Sequence, residues 1–195
     1  MKKKILLAII LGMIFVLPGC SLKEDVEKVK EKVEQKQEEK VMKSTYKSYN
    51  EKYEVTVNDT WEKAIKGDLN DSADIELHGK DNDKYFMVLA ESKVNFDSFD
   101  VWYGYVLKNN ISAYNFSEED IYDTEVNGYE AKCADFETSF RGIKMYMRIY
   151  FVKSENSYSQ VFLWTTLDKK SELTEEFDEI VDTFTEVQET EETEA

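Results

Sequence analysis

A single histidine, two cysteines, one proline and seven glycines among 195 residues leave this chain short of the side chains that most catalytic centres use. His78 alone cannot form the imidazole cluster of a zinc site, and it gives little scope for a histidine-based triad. The glycines are scattered, without the G-x-G-x-x-G or G-x-x-x-x-G-K spacing that cradles a phosphate. These absences point away from an enzyme. Basic residues are scarce too, 25 against 41 acidic ones, for a formal charge of −16. Phosphate-backbone binding depends on clustered Lys and Arg that displace counterions, so no nucleic-acid partner is expected. Nor is a body that lies flat on an anionic membrane. The plainest role of the acidity is to keep the chain in water.

Long apolar runs are also lacking, with one exception at the start. Lys2, Lys3 and Lys4 precede the uncharged run Ile5–Leu17, which Pro18 and Gly19 end. About twenty apolar residues are needed to cross a bilayer, so this run is short for a permanent span. It fits the core of a removable secretory signal with its charged end on the cytoplasmic side. The residues Leu17-Pro18-Gly19-Cys20 resemble the lipobox of bacterial lipoproteins, although Pro18 is a less usual occupant of its slot. The resemblance implies a leader over 1–19, cleavage just before Cys20 and a diacylglyceryl group on the Cys20 thiol. An N-acyl chain on Cys20 would complete the modification, and no other cofactor is expected. The alternative is an uncleaved signal anchor with an incidental cysteine. Buried acyl chains contribute roughly 0.8 kcal/mol per CH₂, and two chains hold a protein where one is marginal.

Several expectations follow from that leader. Losing Lys2, Lys3 and Lys4 makes the mature chain more acidic still. Cys133 is left without a partner, so no intrachain disulfide is available despite export. A lone cysteine in a strand reads as a small buried apolar residue rather than a nucleophile. The expected location is the extracytoplasmic face of the cell membrane, or the outer membrane in a host that has two. The Lys-rich, proline-poor composition suggests a host with one.

The stretch 20–45 reads as the lipidated N-terminus followed by a charged helical spacer. Leu22, Val26, Val29 and Val33 share one helical stripe, which fails at Lys36 and Lys40. Glu and Lys alternate elsewhere and supply i,i+4 pairs. A free tether is the simplest reading; packing on the domain or pairing with another helix are the alternatives.

A globular domain is expected over 46–187, followed by a disordered acidic tail at 188–195. Tyr53, Val55 and Val57 alternate with polar residues as in a half-buried strand, with a turn at Asn58-Asp59 and then Trp61. Ala73–His78 and Tyr85–Ser92 flank the turn cluster 79–83, which predicts a hairpin. Phe86–Ala90 is apolar on both faces, as an inner strand would be. From Phe96 to Tyr114 the period becomes helical, with Phe99, Trp102, Tyr103, Val106, Leu107 and Asn110 on one stripe and Asp97 or Ser98 placed to cap. Trp102, Tyr103 and Tyr105 invite comparison with a sugar-stacking platform, but this spacing is the ordinary pattern of a core-facing stripe. A short strand over 120–125, the Asn127-Gly128 turn and strands over 130–140, 143–152 and 158–166 predict an antiparallel meander. In the third of these, Ile143, Met145, Met147, Ile149 and Phe151 face one way, and Lys144, Tyr146, Arg148, Tyr150 and Val152 the other. Leu173, Phe177, Ile180, Val181 and Phe184 give a last amphipathic helix over Ser171–Thr185, with Ser171 as a partial cap.

This order of elements resembles the PsbP-like family. The resemblance rests on Tyr53–Val57 with Trp61, on Asn127-Gly128 before an apolar strand, and on the closing Phe177, Ile180 and Thr183-Phe184. It implies an α+β fold, an antiparallel sheet of about six strands sandwiched by helices. It also implies roles in binding, assembly or scaffolding, and no functional residue of the family is matched position by position.

The expected function is therefore a membrane-anchored, non-enzymatic binding or assembly module of the cell envelope, acting on an envelope protein or polymer. Tyr146, Arg148 and Tyr150 are the candidate ligand-binding residues; the simpler alternative packs them under a helix. A second expectation is binding of calcium or a small ligand, with Asp81 and Asp83 or Glu118, Glu119 and Asp120 as carboxylate clusters. Neither cluster has the twelve-residue loop with its terminal Glu, so surface solvation explains them better and no metal ligand is assigned. An envelope hydrolase working through a carboxylate pair is the third and least favoured.

Overall fold

The computed structural model describes residues 42–188. The leader at 1–19, Cys20, the spacer as far as Val41 and the tail beyond Gln188 lie outside these residues. Ten strands and two α-helices follow in order: β1 (Lys43–Lys47), β2 (Tyr53–Asn58), β3 (Trp61–Lys63), β4 (Ile75–Gly79), β5 (Lys84–Ser92), α1 (Phe99–Tyr114), β6 (Ile121–Val126), β7 (Tyr129–Phe140), β8 (Ile143–Lys153), β9 (Ser157–Thr166), α2 (Lys170–Val181) and β10 (Thr185–Glu186). The α+β expectation holds, but the strands form two sheets. Seven lie in the order β3-β4-β5-β9-β8-β7-β6, and three in the order β1-β2-β10. Every pairing is antiparallel.

The meander forms in the register its turns dictate. Asn127 (φ 47°) and Gly128 (φ 82°) make the first two-residue turn, and Arg141 (φ 51°) and Gly142 (φ 83°) the second. Positive φ at both central positions matches the twist of the flanking strands. Val126 thus pairs with Tyr129, and Phe140 with Ile143. β9 is the middle strand and is buried along nearly its whole length, with both faces covered.

Each face of the large sheet has its own core. On one, α1 lays Phe99, Trp102 and Val106 over Met87, Ile149, Phe151 and Phe162. On the other, α2 and β2 together cover Leu77, Val88, Tyr146, Tyr150 and Leu163 with Phe177, Ile180, Val55 and Val57. Ser98 caps α1, accepting from Val101 N at 3.3 Å, and Asn115 ends it in the left-handed conformation.

Three expectations need correction. The spacer expected over 20–45 overlaps a strand: Lys43–Lys47 is β1, paired with β2 from Lys43↔Asn58 to Lys47↔Glu54. It is an exposed edge with only Tyr46 half-buried, so no apolar alternation announces it. The last helix does not run to Thr185. It stops at Val181, where Thr183 Oγ1 accepts from Thr56 N (2.8 Å) and turns the chain into β10 beside β2. Phe184 is buried all the same, stacked on Tyr53. Ser171 is not the cap of that helix; a 3₁₀ turn over Leu167–Lys169 leads into it.

Candidate functional site

Tyr146, Arg148 and Tyr150 lie under α2, with 0, 7 and 4% of their surface exposed. They form no open surface; the simpler alternative describes their place in the fold. Arg148 Nε donates to Asp135 Oδ2 (2.9 Å) on β7, and Nη1 donates to Asp178 on α2. Tyr146 Oη donates to the same Asp135 oxygen at 3.0 Å. The buried guanidinium thus joins sheet to helix. Burial raises the Tyr146 and Tyr150 hydroxyls well above the usual tyrosine range, while desolvation of Arg148 is offset by the charges of Asp178 and Asp135, which hold it protonated.

The remaining candidates are dispersed. Asp83 is engaged by Lys169 Nζ at 2.6 Å, a hydrogen bond that lowers its carboxyl below the usual range. Asp81 lines the same cleft as Asp83. Glu118, Glu119 and Asp120 form a 3₁₀ turn before β6, with Ser117 and Asp120 capping one another. Among the described residues no group of three or more His, Cys, Asp or Glu is arranged to hold a metal ion. Trp102 is buried and Tyr105 points to solvent, so the three aromatics of α1 make no platform. Cys133 is buried and, among the described residues, unpaired, and burial pushes its thiol up to about 11.

Two concavities stand out. One, of about 560 Å³, is a polar cleft around Lys84 and Glu176. Lys84 Nζ donates to both Glu176 oxygens (2.8 Å each), and Asn58 Nδ2 and Trp61 Nε1 donate to Oε1. Its deepest charges satisfy one another and tie β2, β3, β5 and α2 together.

The other, about 320 Å³, is apolar, and it follows from a mismatch of lengths. The sixteen residues of α1 reach roughly 24 Å, while the twelve of β7 reach roughly 40 Å. Beyond the last turn of α1 the cover over the sheet thins to a concavity, with Met87, Met147 and Phe162 buried at its base and Met145 and Trp164 half-buried in its floor. Ala113 and Tyr114 close one side, fastened to β7 by Thr138 Oγ1, which donates to Tyr114 O at 2.7 Å. Leu69 and Asn70 close another. Their loop is held by Glu76, a fully buried carboxylate on β4 that accepts from Gly67 N (2.6 Å), Leu69 N (2.7 Å) and Asn70 N (2.9 Å). Trp164 stacks on Tyr85, ring centroids 5.1 Å apart, and Phe140 stands at the rim. A concave floor of methionine and aromatic side chains with a few polar groups at its edge is the usual make-up of a binding pocket, and thioethers adapt to irregular occupants.

Sequence reasoning read Met145 and Met147 as one face of a strand and Trp164 as part of another, without placing them in a groove. The strand periodicity gives Glu76 no role, although a charged residue between Ile75 and Leu77, next to an apolar inner strand, is the signal that marks it.

No protein-family model matches the chain, and no curated protein matches it in sequence. Among solved structures it is similar to a protein from Bacteroides thetaiotaomicron, at 10% identity and a TM-score of 0.54 over 74% of this chain; the match spans about half, 48%, of that longer chain. It is similar to cyanobacterial PsbP (CyanoP) from Synechocystis, at 12% identity and a TM-score of 0.52 over 75% of this chain and 94% of that one. It is also similar to LpqN of Mycobacterium tuberculosis, described as involved in cell envelope biogenesis, at 12% identity and a TM-score of 0.50, covering 76% and 92%. At these identities the likeness is one of fold alone: the described domain has a PsbP-like fold.

Proposed function

We propose that this chain is an extracytoplasmic lipoprotein, anchored through Cys20, whose domain binds an apolar segment of an envelope component in the groove beyond α1 and performs no chemistry on it. The observation that carries the reading is the concavity of about 320 Å³ past the end of α1, where half-buried Met145 and Trp164 stand over a buried base of Met87, Met147 and Phe162, an apolar lining of the kind that binding pockets use. The lipobox-like Leu17–Cys20 supports the anchor. The cell-envelope role described for LpqN, a protein of similar fold, fits the same setting.

Titration with an uncharged naphthylamine probe tests the groove, and Trp164 reports its occupancy. Saturable single-site binding is expected, weakened at least tenfold by Ala113→Phe, which fills the space. Equal binding by both chains would remove the groove as the site. Mass spectrometry of protein taken from membranes tests the anchor separately: a retained Met1 and a free Cys20 thiol would refute it.

A further inference from the structure

Phe140 and Ile143 are 64 and 55% exposed, side by side at the tip of the β7–β8 hairpin. Large apolar side chains at a hairpin tip gain nothing for the fold. The turn between them is equally unfavourable for local stability: Arg141 occupies a left-handed position (φ 51°), where the sister turn has Asn127 (φ 47°). Arginine is a poor choice for that backbone and asparagine a good one. A residue that breaks a local rule without stabilising its turn points to its side chain for the reason. Its guanidinium lies over the Phe140 ring, 5.1 Å from the centroid, and Lys144 follows Ile143. Among the described residues neither Arg141 nor Lys144 has an ion-pair partner. The neighbouring Lys170 and Lys169 are used by Glu137 and Asp83, and Asp168 lies beside Lys144. On a chain of charge −16, this tip joins exposed apolar and unpaired cationic side chains.

The tip also lies at the end of the domain where the chain enters. β2 runs lengthwise between two marked ends: Glu186, opposite Tyr53, accepts from Asn156 N in the β8–β9 turn, and Asn58 bonds Glu176 beside Lys84. Lys84 pairs with Thr165, Thr165 with Tyr146, and the tip lies just past Tyr146. Lys43, opposite Asn58, and the exposed Met42 are therefore at the tip's end of the sheet.

We propose that the β7–β8 tip rests in the interface of an anionic bilayer, with Phe140 and Ile143 among the headgroups and acyl boundary and Arg141 and Lys144 against lipid phosphates. The proposal rests on the anchored reading, because a weak contact suffices once a tether supplies a high effective concentration. Arg141 and Lys144 then decide which part of an otherwise acidic body approaches the anionic surface. Apolar wedges flanked by cations are the residue types that partition to the interface.

The test keeps the two readings apart. The chain from Cys20 onward is coupled through its Cys20 thiol to a maleimide phospholipid in vesicles of phosphatidylglycerol and phosphatidylcholine, so tethering does not depend on natural lipidation. Brominated lipids then quench tryptophan by depth. Phe140→Trp is expected to show at least twofold more quenching than the unsubstituted chain, whose Trp61, Trp102 and Trp164 set the baseline, while Val94→Trp, exposed at the opposite end, shows no more than that baseline. High salt, or Arg141→Glu with Lys144→Glu, is expected to halve the added quenching or more. Quenching of Phe140→Trp no greater than that of Val94→Trp would overturn the proposal. An unmodified Cys20 in native protein would instead sink the anchor and leave the tip's affinity as measured.

Discussion

Lys84 Nζ lies 2.8 Å from each carboxylate oxygen of Glu176, so the first residue of β5 is bonded to the middle of α2. The lysine side chain is 7% exposed and the glutamate 18%. Removing one partner strands the other in a poorly hydrated site. Glu176→Ala is expected to destabilise the domain by about 3 kcal/mol in urea unfolding, with Lys84→Met plus Glu176→Leu costing less than the sum of the single changes. The pair also sets a pH dependence. Burial alone would raise the Glu176 carboxyl, but hydrogen bonds from Lys84, Trp61 and Asn58 bring it below its ordinary 4.5. A depressed folded value means stability fully present above that ordinary value and lost as pH falls towards the folded one. The urea midpoint should decline below about pH 4.5, and less steeply in Glu176→Gln; an unchanged slope would refute the assignment. Asp83, lowered by Lys169, accounts for part of the remaining decline.

Arg148 reaches Asp135 and Asp178 with different nitrogens, which a lysine cannot do. Arg148→Lys is expected to destabilise by about 2 kcal/mol while leaving probe binding in the α1-side groove within twofold. Loss of probe binding in a chain that remains folded would show that Arg148 serves the site.

Cys133 should be chemically silent. Burial raises its thiol to about 11, countered only in part by the Tyr122 hydroxyl and Arg148. In the chain with Cys20→Ser, iodoacetamide at pH 8 is expected to react at least a hundredfold more slowly with folded than with urea-unfolded protein. Comparable rates would show that the strand opens readily.

Ser159 is fully buried on β9, and its hydroxyl has no hydrogen-bond partner among the described residues. Deleting an unsatisfied buried hydroxyl removes its desolvation penalty for little lost packing. Ser159→Ala is therefore expected to stabilise by about 1 kcal/mol in urea unfolding, against the usual sign of core substitutions. Destabilisation would mean that a water satisfies the hydroxyl.

The sequence by itself determined the local elements, because they depend on side chains two, three or four residues apart. The alternation Met145, Met147, Ile149, Phe151 fixed β8 and its two faces; Leu173, Phe177, Ile180 and Val181 fixed α2; Asn127-Gly128 fixed the turn into β7. What lies over each face was beyond that range. Period two separates Tyr146, Arg148 and Tyr150 from their neighbours but does not say that α2, more than twenty residues further on, will cover them. β1 and β10 exist because β2 has two edges to offer; their own residues, polar and brief, do not ask for a strand. The groove is the difference between the reach of α1 and that of β7 and β8, and its wall at Leu69 and Asn70 stands because Glu76 gathers three backbone N–H groups from the loop that leads into its own strand. Pattern records what each segment prefers to bury, and only the packed chain settles which surfaces find a cover and which are left open.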